Sequence, residues 1–190
     1  WGHKLGIGEL TNLSLEGGNH GLIPTPAEKE KLYQEPWYGG DTVSMSIGQG
    51  LVQVTPLELA VLYSAIANGG WRVTPHLMAN QTRTPETRPQ KIGLNPGTLA
   101  VLKDGLKGVV QNGTARQLND GLIPVTAGKT GTAEVLGQKD NALFAGFGPA
   151  NDPKIAVAVV VENGGFGAES AVPIAHEIYK TYFKKTKGQR

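Results

Sequence analysis

Ala127-Gly128-Lys129-Thr130-Gly131-Thr132-Ala133-Glu134-Val135 is the stretch whose reading decides the fold. Within it a cation, two hydroxyls and a glycine occupy the consecutive positions Lys129 to Thr132. The apolar-leaning Leu122-Ile123-Pro124-Val125 runs into it, and a two-stranded pattern follows after residue 142. Read as a strand, the stretch alternates, so Lys129 and Gly131 share one face and Thr130 and Thr132 the other. At a sheet edge, the backbone N–H groups and hydroxyls of such a segment make a receptor for a carboxylate or a developing oxyanion. Gly131 lets a ligand lie close to the backbone. A polar turn, or a strand with a solvated lysine, fits the same four residues. A phosphate-binding P-loop does not, because it needs a glycine five residues before Gly128 and position 123 is Ile.

Downstream, the pattern is a meander. Leu143, Ala145 and Phe147 alternate with Phe144 and Gly146, and a loop from Gly148 to Lys154 carries Asn151-Asp152-Pro153. Ile155 to Val161 is apolar on both faces, which predicts a strand covered on both sides. Asn163-Gly164-Gly165 ends it. Ile174, Ala175, Ile178, Tyr179, Tyr182 and Phe183 then predict a final amphipathic helix, with Lys184, Lys185 and Lys187 at its negative end.

Upstream, Thr55-Pro56-Leu57-Glu58 puts Thr at an N-cap, Pro at the first helical position and Glu at the third, a capping box. Leu59, Leu62, Ala65 and Ile66 recur at helical spacing, and Asn68-Gly69-Gly70 stops a buried helix of about three turns. Asn95-Pro96 opens a second helix, with Leu99, Leu102, Leu106 and Val109 or Val110 on one face and Asn112-Gly113 at its end. Asn119-Asp120-Gly121 is a turn. Val73 to Leu77 is a short strand candidate, and Arg72, Arg83, Arg88 and Lys91 lie along a polar excursion with Pro85 and Pro89. Residues 1–53 are rich in turn formers, among them Gly17-Gly18, Pro24, Pro26, Pro36 and Gly39-Gly40, and predict short helices and loops. Glu28-Lys29-Glu30-Lys31 alternates in sign, as a solvated helical turn does. Helices on an antiparallel sheet make the fold class α+β.

Composition narrows the function. The chain has 190 residues, enough for a core, and a net charge of +2 from 18 basic and 16 acidic residues in mixed order. That balance marks no nucleic-acid or polybasic membrane surface. There are no cysteines, and His3, His20, His76 and His176 show no ligand spacing, so no metal is expected.

Further stretches sharpen the reading. Trp37-Tyr38-Gly39-Gly40-Asp41-Thr42, Ser46-Ile47-Gly48-Gln49-Gly50, Val54-Thr55-Pro56-Leu57-Glu58-Leu59-Ala60, Ala67-Asn68-Gly69-Gly70, Asn112-Gly113-Thr114-Ala115 and Phe144-Ala145-Gly146-Phe147 stand in order around Lys-Thr-Gly-Thr. Together they resemble the C-terminal part of a class B penicillin-binding protein transpeptidase domain of the cell-elongation kind, and Lys-Thr-Gly is one of that superfamily's signature elements. The resemblance is weakest between Thr82 and Ile92.

The resemblance implies a peptidoglycan D,D-transpeptidase that works through a serine acyl-enzyme. Stem peptides ending in D-Ala-D-Ala and β-lactams would be its acyl donors, with no cofactor. It would sit on the extracytoplasmic face of a bacterial membrane, anchored by an upstream segment and beside a membrane glycosyltransferase of the elongation machinery. It assigns Lys129 the electrostatic role, Thr130 and Thr132 the substrate carboxylate, Gly131 close substrate approach, and the Thr132 N–H one oxyanion donor. Gln49 is then a polar brace for the cleft, or else part of a plain turn. Trp37 and Tyr38 either line a substrate groove or serve as packing aromatics. The family's Ser-x-x-Lys and Ser-x-Asn elements are not found around Ser14, Ser44, Ser46, Ser64 or Ser170. Residues 1–190 therefore read as the C-terminal portion of one domain whose nucleophile lies upstream, inactive when isolated. A serine β-lactamase or D,D-carboxypeptidase, or a non-catalytic penicillin-sensing or scaffold domain, would keep the same strand.

Overall fold

The computed structural model describes residues 1–9, 13, 19–81 and 84–187. Ser14, Gly17, Gly18 and Arg83 of the sequence reading lie outside them. Among the described residues the N-terminal region forms three short helices, α1 (Gly2–Leu5), α2 (Pro26–Tyr33) and α3 (Gly39–Ser46), as its turn formers predict. The alternating charges of α2 do not make a solvated turn. Lys29 is buried, and its Nζ donates to Asp41 Oδ2 at 2.7 Å, lies 3.7 Å from Glu35 and sits 4.5 Å from the centre of the Tyr38 ring. Once α3 brings a carboxylate against α2, the lysine stem can be covered while its charge stays matched.

Helix α4 (Pro56–Ala67) begins where its box places it. Thr55 Oγ1 accepts from the Glu58 N–H at 3.2 Å, and Glu58 Oε2 accepts from the Thr55 N–H at 2.7 Å. Val61, Ala65, Ile66 and Ala67 are buried. The strand expected at Val73 to Leu77 is not there. A two-residue strand, β1 (Trp71–Arg72), pairs instead with β2 (Gln90–Lys91). Pro75 has no N–H for a ladder, whereas Arg72 gains side-chain bonds to the His3 carbonyl at 3.0 Å and Gln90 Oε1 at 2.9 Å. Helix α5 (Pro96–Asn112) starts at Asn95, whose Oδ1 accepts from the Gly97 N–H at 2.8 Å. Leu99 and Leu106 pack inward and Val110 is fully buried. Leu102, expected on the same face, is 39% exposed.

The strands β3 (Ala127–Ala133), β4 (Asn141–Gly148) and β5 (Ile155–Val161) form an antiparallel meander in the order β3-β4-β5, and α6 (Gly167–Lys187) closes the chain. Strand alternation sorts the core into two layers. Phe144, Val157 and Val159 face Val172, Ala175 and Tyr179 of α6, while Ala127, Phe147 and Ala156 face Leu62 and Ile66 of α4. The sheet is thus covered on both sides, as the all-apolar Ile155–Val161 predicts. The buried side of α6 differs from the expected one. Ala171, Val172, Ala175, Tyr179 and Phe183 are buried, but Ile174 is 45% and Ile178 38% exposed. Ile174 and Ile178 lie one residue before Ala175 and Tyr179, about 100° round the helix, so both cannot centre on the sheet. Among the described residues no helix is long and apolar enough to cross a membrane.

Candidate active site

Strand β3 pairs with β4 on one side only, so its other side is a free edge of this sheet. Its cross-strand partners include Thr130 with Phe144 and Thr132 with Ala142. The upper half of β3 can lie flat on β4 because Gly128 and Gly146 face each other. A Cβ on either would meet the Phe144 ring, at 2.6 Å and 2.9 Å respectively, so the ring covers the glycine pair.

The direction of the β3 backbone groups follows from two contacts. The Thr132 carbonyl accepts from Gln49 Nε2 at 3.0 Å, and the Thr130 carbonyl accepts from Lys129 Nζ at 2.7 Å. Both carbonyls therefore point away from β4. In an extended strand the N–H and C=O of one residue point to the same side, so the N–H groups of Thr130 and Thr132 also face the open edge. Lys129 and the two threonines start on opposite faces of the strand, as alternation requires, and the exposed Lys129 folds round to the edge between them.

The two hydroxyls have different surroundings. Thr130 is buried, at 9% exposure, and its Oγ1 lies 2.6 Å from Thr114 Oγ1. Thr132 is half-buried, and its hydroxyl makes no hydrogen bond among the described residues. Gly131 is half-buried too, and on the Lys129 face its nearest neighbour is the Leu143 side chain, 3.3 Å from where a Cβ would stand.

Gln49 is brought here by α3 and the glycine-flanked turn after it. Gly48 and Gly50 have φ of 74° and 70°, in the left-handed region that favours glycine. The turn closes through Gly48 N–H to the Met45 carbonyl at 3.0 Å and Gln49 N–H to the Ser44 carbonyl at 3.0 Å. Besides bonding Thr132, Gln49 accepts from the Glu134 N–H through Oε1 at 3.3 Å. The brace reading of Gln49 therefore has a contact behind it. Trp37 donates through Nε1 to Thr42 Oγ1 at 2.8 Å, and Tyr38 packs on the Lys29 ammonium. Both aromatics thus make contacts within the α2–α3 unit, and Tyr38 remains 54% exposed.

Two residues of this region were not legible as such. Thr114 carried only a place in an ordered motif, and its contact with Thr130 joins a post-helical turn to a strand. Glu58 read as a helix cap alone. It is fully buried, and its Oε1 also accepts from the N–H groups of Gly8 at 2.9 Å and Gly21 at 2.7 Å. Of the described serines, Ser46, Ser64 and Ser170 each donate to a main-chain carbonyl at 2.7 Å, those of Val43, Val61 and Gly164.

Comparison with known proteins gives the family. Residues 1–180 match the family described as the penicillin binding protein transpeptidase domain. The peptidoglycan D,D-transpeptidase MrdA of Acinetobacter baumannii is 37% identical over 194 residues, which cover 90% of this chain and 29% of that protein. Among solved structures, Pseudomonas aeruginosa PBP2 in complex with WCK 5153 is 36% identical with a TM-score of 0.83, over 95% of this chain and 42% of the other. The complex between PBP2 and MreC from Helicobacter pylori is 29% identical with a TM-score of 0.82, over 97% of this chain and 34% of the other. The chain spans about three tenths of the length of the curated relatives it matches. With the match running through both the helical and the sheet halves, the chain belongs to the penicillin binding protein transpeptidase domain family.

Proposed function

We propose that residues 1–190 are the C-terminal portion of one transpeptidase domain, and that the whole protein is a peptidoglycan D,D-transpeptidase. The observation that carries this reading is the open edge of β3. There the outward Thr132 N–H follows the Thr130 carbonyl that the Lys129 ammonium holds, with no β-strand of the described residues on that side.

In the reaction, a serine Oγ supplied from outside this chain attacks the carbonyl of the penultimate D-Ala. The C–N bond to the terminal D-Ala breaks, that residue leaves with a proton, and an ester remains on the serine. The amine of a neighbouring stem peptide then attacks the ester and frees the serine. In a β-lactam the amide that opens is part of a ring, so the leaving nitrogen stays attached. This chain supplies three things. The Thr132 N–H stabilises the oxyanion, and one such donor is worth about 10²–10³ in rate. The Thr132 hydroxyl holds the donor carboxylate, with Thr130 beneath it and Gly131 giving access to the main chain. The Lys129 ammonium attracts that carboxylate and eases proton loss from a neighbouring hydroxyl. By likeness to MrdA and PBP2, the protein works at the extracytoplasmic face of the membrane with a glycosyltransferase of the elongation machinery.

The test is acylation of the full-length protein by a fluorescent penicillin. Lys129→Ala and Thr132→Val are each expected to slow it about 10-fold to 10²-fold, since a hydrogen bond to a charged group is worth about 1.5–3 kcal/mol. Thr130→Val is expected to slow it less, because the Thr130 hydroxyl is already engaged with Thr114. Wild-type rates in Lys129→Ala and Thr132→Val would remove this edge from the site. The isolated chain is expected to form no covalent penicillin adduct by mass spectrometry; an adduct on Ser44, Ser46, Ser64 or Ser170 would show that the nucleophile lies within it.

A further inference from the structure

The edge of a β-strand is poorly suited to an anion, because it offers carbonyl oxygens as often as N–H groups. On β3 the outward carbonyls on either side of the Thr132 N–H are both already bonded, that of Thr130 by Lys129 Nζ and that of Thr132 by Gln49 Nε2. The outward N–H groups of Thr130 and Thr132 stay open, whereas that of Glu134 is taken by Gln49 Oε1. The Gln49 contact crosses 83 positions of sequence and has a second point of attachment at the Glu134 N–H. The Thr132 carbonyl can only accept and the Glu134 N–H can only donate. A carboxamide satisfies both at once, because it carries a donor and an acceptor side by side in one plane. A neighbouring parallel strand would bond the carbonyl of one residue and the N–H of the second residue on in the same way. Gln49 is thus a one-residue strand that closes the edge of β3 immediately after Thr132 and leaves it open before.

Building on the reading of the β3 edge given above, we propose that Gln49 is a positioning residue, whose carboxamide fixes Thr132 and masks its carbonyl so that the edge presents only donors to the anion. The clamp holds the peptide on the C-terminal side of Thr132. The oxyanion donor belongs to the peptide on its N-terminal side, and the two planes share one Cα, so a loose clamp lets the donor swing. A misplacement of about 1 Å in a reacting group can cost about 10²-fold in rate. The two glycines flanking Gln49 give its turn the left-handed backbone that delivers the side chain to β3.

The experiment uses the full-length protein with Gln49→Ala and Gln49→Glu. The glutamate variant keeps the acceptor for Glu134 but sets a carboxylate oxygen against the Thr132 carbonyl. Both are expected to slow penicillin acylation, Gln49→Ala about 10-fold to 10²-fold and Gln49→Glu at least as much. The carbonyl stretch of the acyl-enzyme, read by infrared difference spectroscopy, should move to higher frequency in both, because a swung donor polarises the ester less. Slower acylation with an unshifted carbonyl stretch would mean that Gln49 supports only the fold, and would overturn the proposal. Wild-type rates in both Gln49 variants, with Thr132→Val slow, would overturn it while the reading of the edge stands. Wild-type rates in Lys129→Ala and Thr132→Val would overturn that reading and the proposal with it. If Gln49→Ala melts well below the wild type, the isosteric Gln49→Glu decides by the same two readouts.

Discussion

Thr25-Pro26-Ala27-Glu28 and Thr55-Pro56-Leu57-Glu58 are two copies of one local device, and both fold as capping boxes. The bond lengths nearly coincide. Glu28 Oε2 accepts from the Thr25 N–H at 2.8 Å and Glu58 Oε2 from the Thr55 N–H at 2.7 Å, with both return bonds at 3.2 Å. What differs is where the tertiary tie is made. At α4 the capping glutamate makes it, since the second oxygen of the buried Glu58 holds Gly8 and Gly21. At α2 the neighbouring residue makes it, since Glu28 only caps while Lys29 pairs with Asp41. A local motif therefore sets where a helix starts, and its surroundings decide how much of the fold depends on it.

The two glutamates should separate most. Glu58→Ala leaves the buried N–H of Gly21 and the part-buried N–H groups of Gly8 and Thr55 without their acceptor, at up to about 1–3 kcal/mol each and most for Gly21. A loss on the order of 3–5 kcal/mol is expected in urea denaturation of the full-length protein. Glu28→Ala should cost only about 0.5 kcal/mol, the weak end of the capping range. Equal losses would break the comparison.

The tie at α2 should show instead in its pH dependence. The hydrogen bond from Lys29, followed by that from the Tyr38 N–H, holds the Asp41 carboxyl below its ordinary range, and the bond to Asp41 raises Lys29. A depressed carboxyl contributes stability that is complete above its unfolded value of about 3.9 and is lost as pH falls through the folded value. The raised lysine contributes fully below its unfolded value of about 10.4 and loses this as pH rises through the folded value. The stability difference between wild type and Asp41→Asn is therefore expected to be flat from about pH 5 to about pH 9 and to shrink in stronger acid. A difference that grew on acidification would reverse the sign and refute the tie.

The threonines should separate least. Thr25→Ala and Thr55→Ala make the same local change, so each should cost about 1 kcal/mol. If Thr55→Ala cost several times more than Thr25→Ala, the contrast would lie in the whole box rather than in its glutamate.

The same division explains how much could be read from the sequence. The helix at Thr55, the helix at Asn95, the meander and the strand of Lys129 to Thr132 were all legible, because each rests on spacing over a few residues. Lys29 was misread because its partner Asp41 lies on another element. Ile174 and Ile178 were placed inward because hydrophobicity shows that a helix has an apolar side without centring it, and the small Ala171 and Ala175 take the closest approach to the sheet. Strand alternation starts Lys129 and the two threonines on opposite faces, and the Lys129 ammonium reaches the edge only by folding round to the Thr130 carbonyl. The contact of Thr114 with Thr130, and the second tie of Glu58, join residues with no shared local pattern.

The contiguity of β3, β4, β5 and α6 bears on how the molecule assembles in time. These four elements follow one another in the chain and pack on one another, so little loop entropy opposes their meeting. The contact from Gln49 to Thr132 closes a loop of 83 positions and is expected to come after them. Substitutions at Phe144 should therefore slow folding, whereas Gln49→Ala should chiefly speed unfolding. The strand that carries Lys129 would then be in place before the side chain that trims its edge arrives.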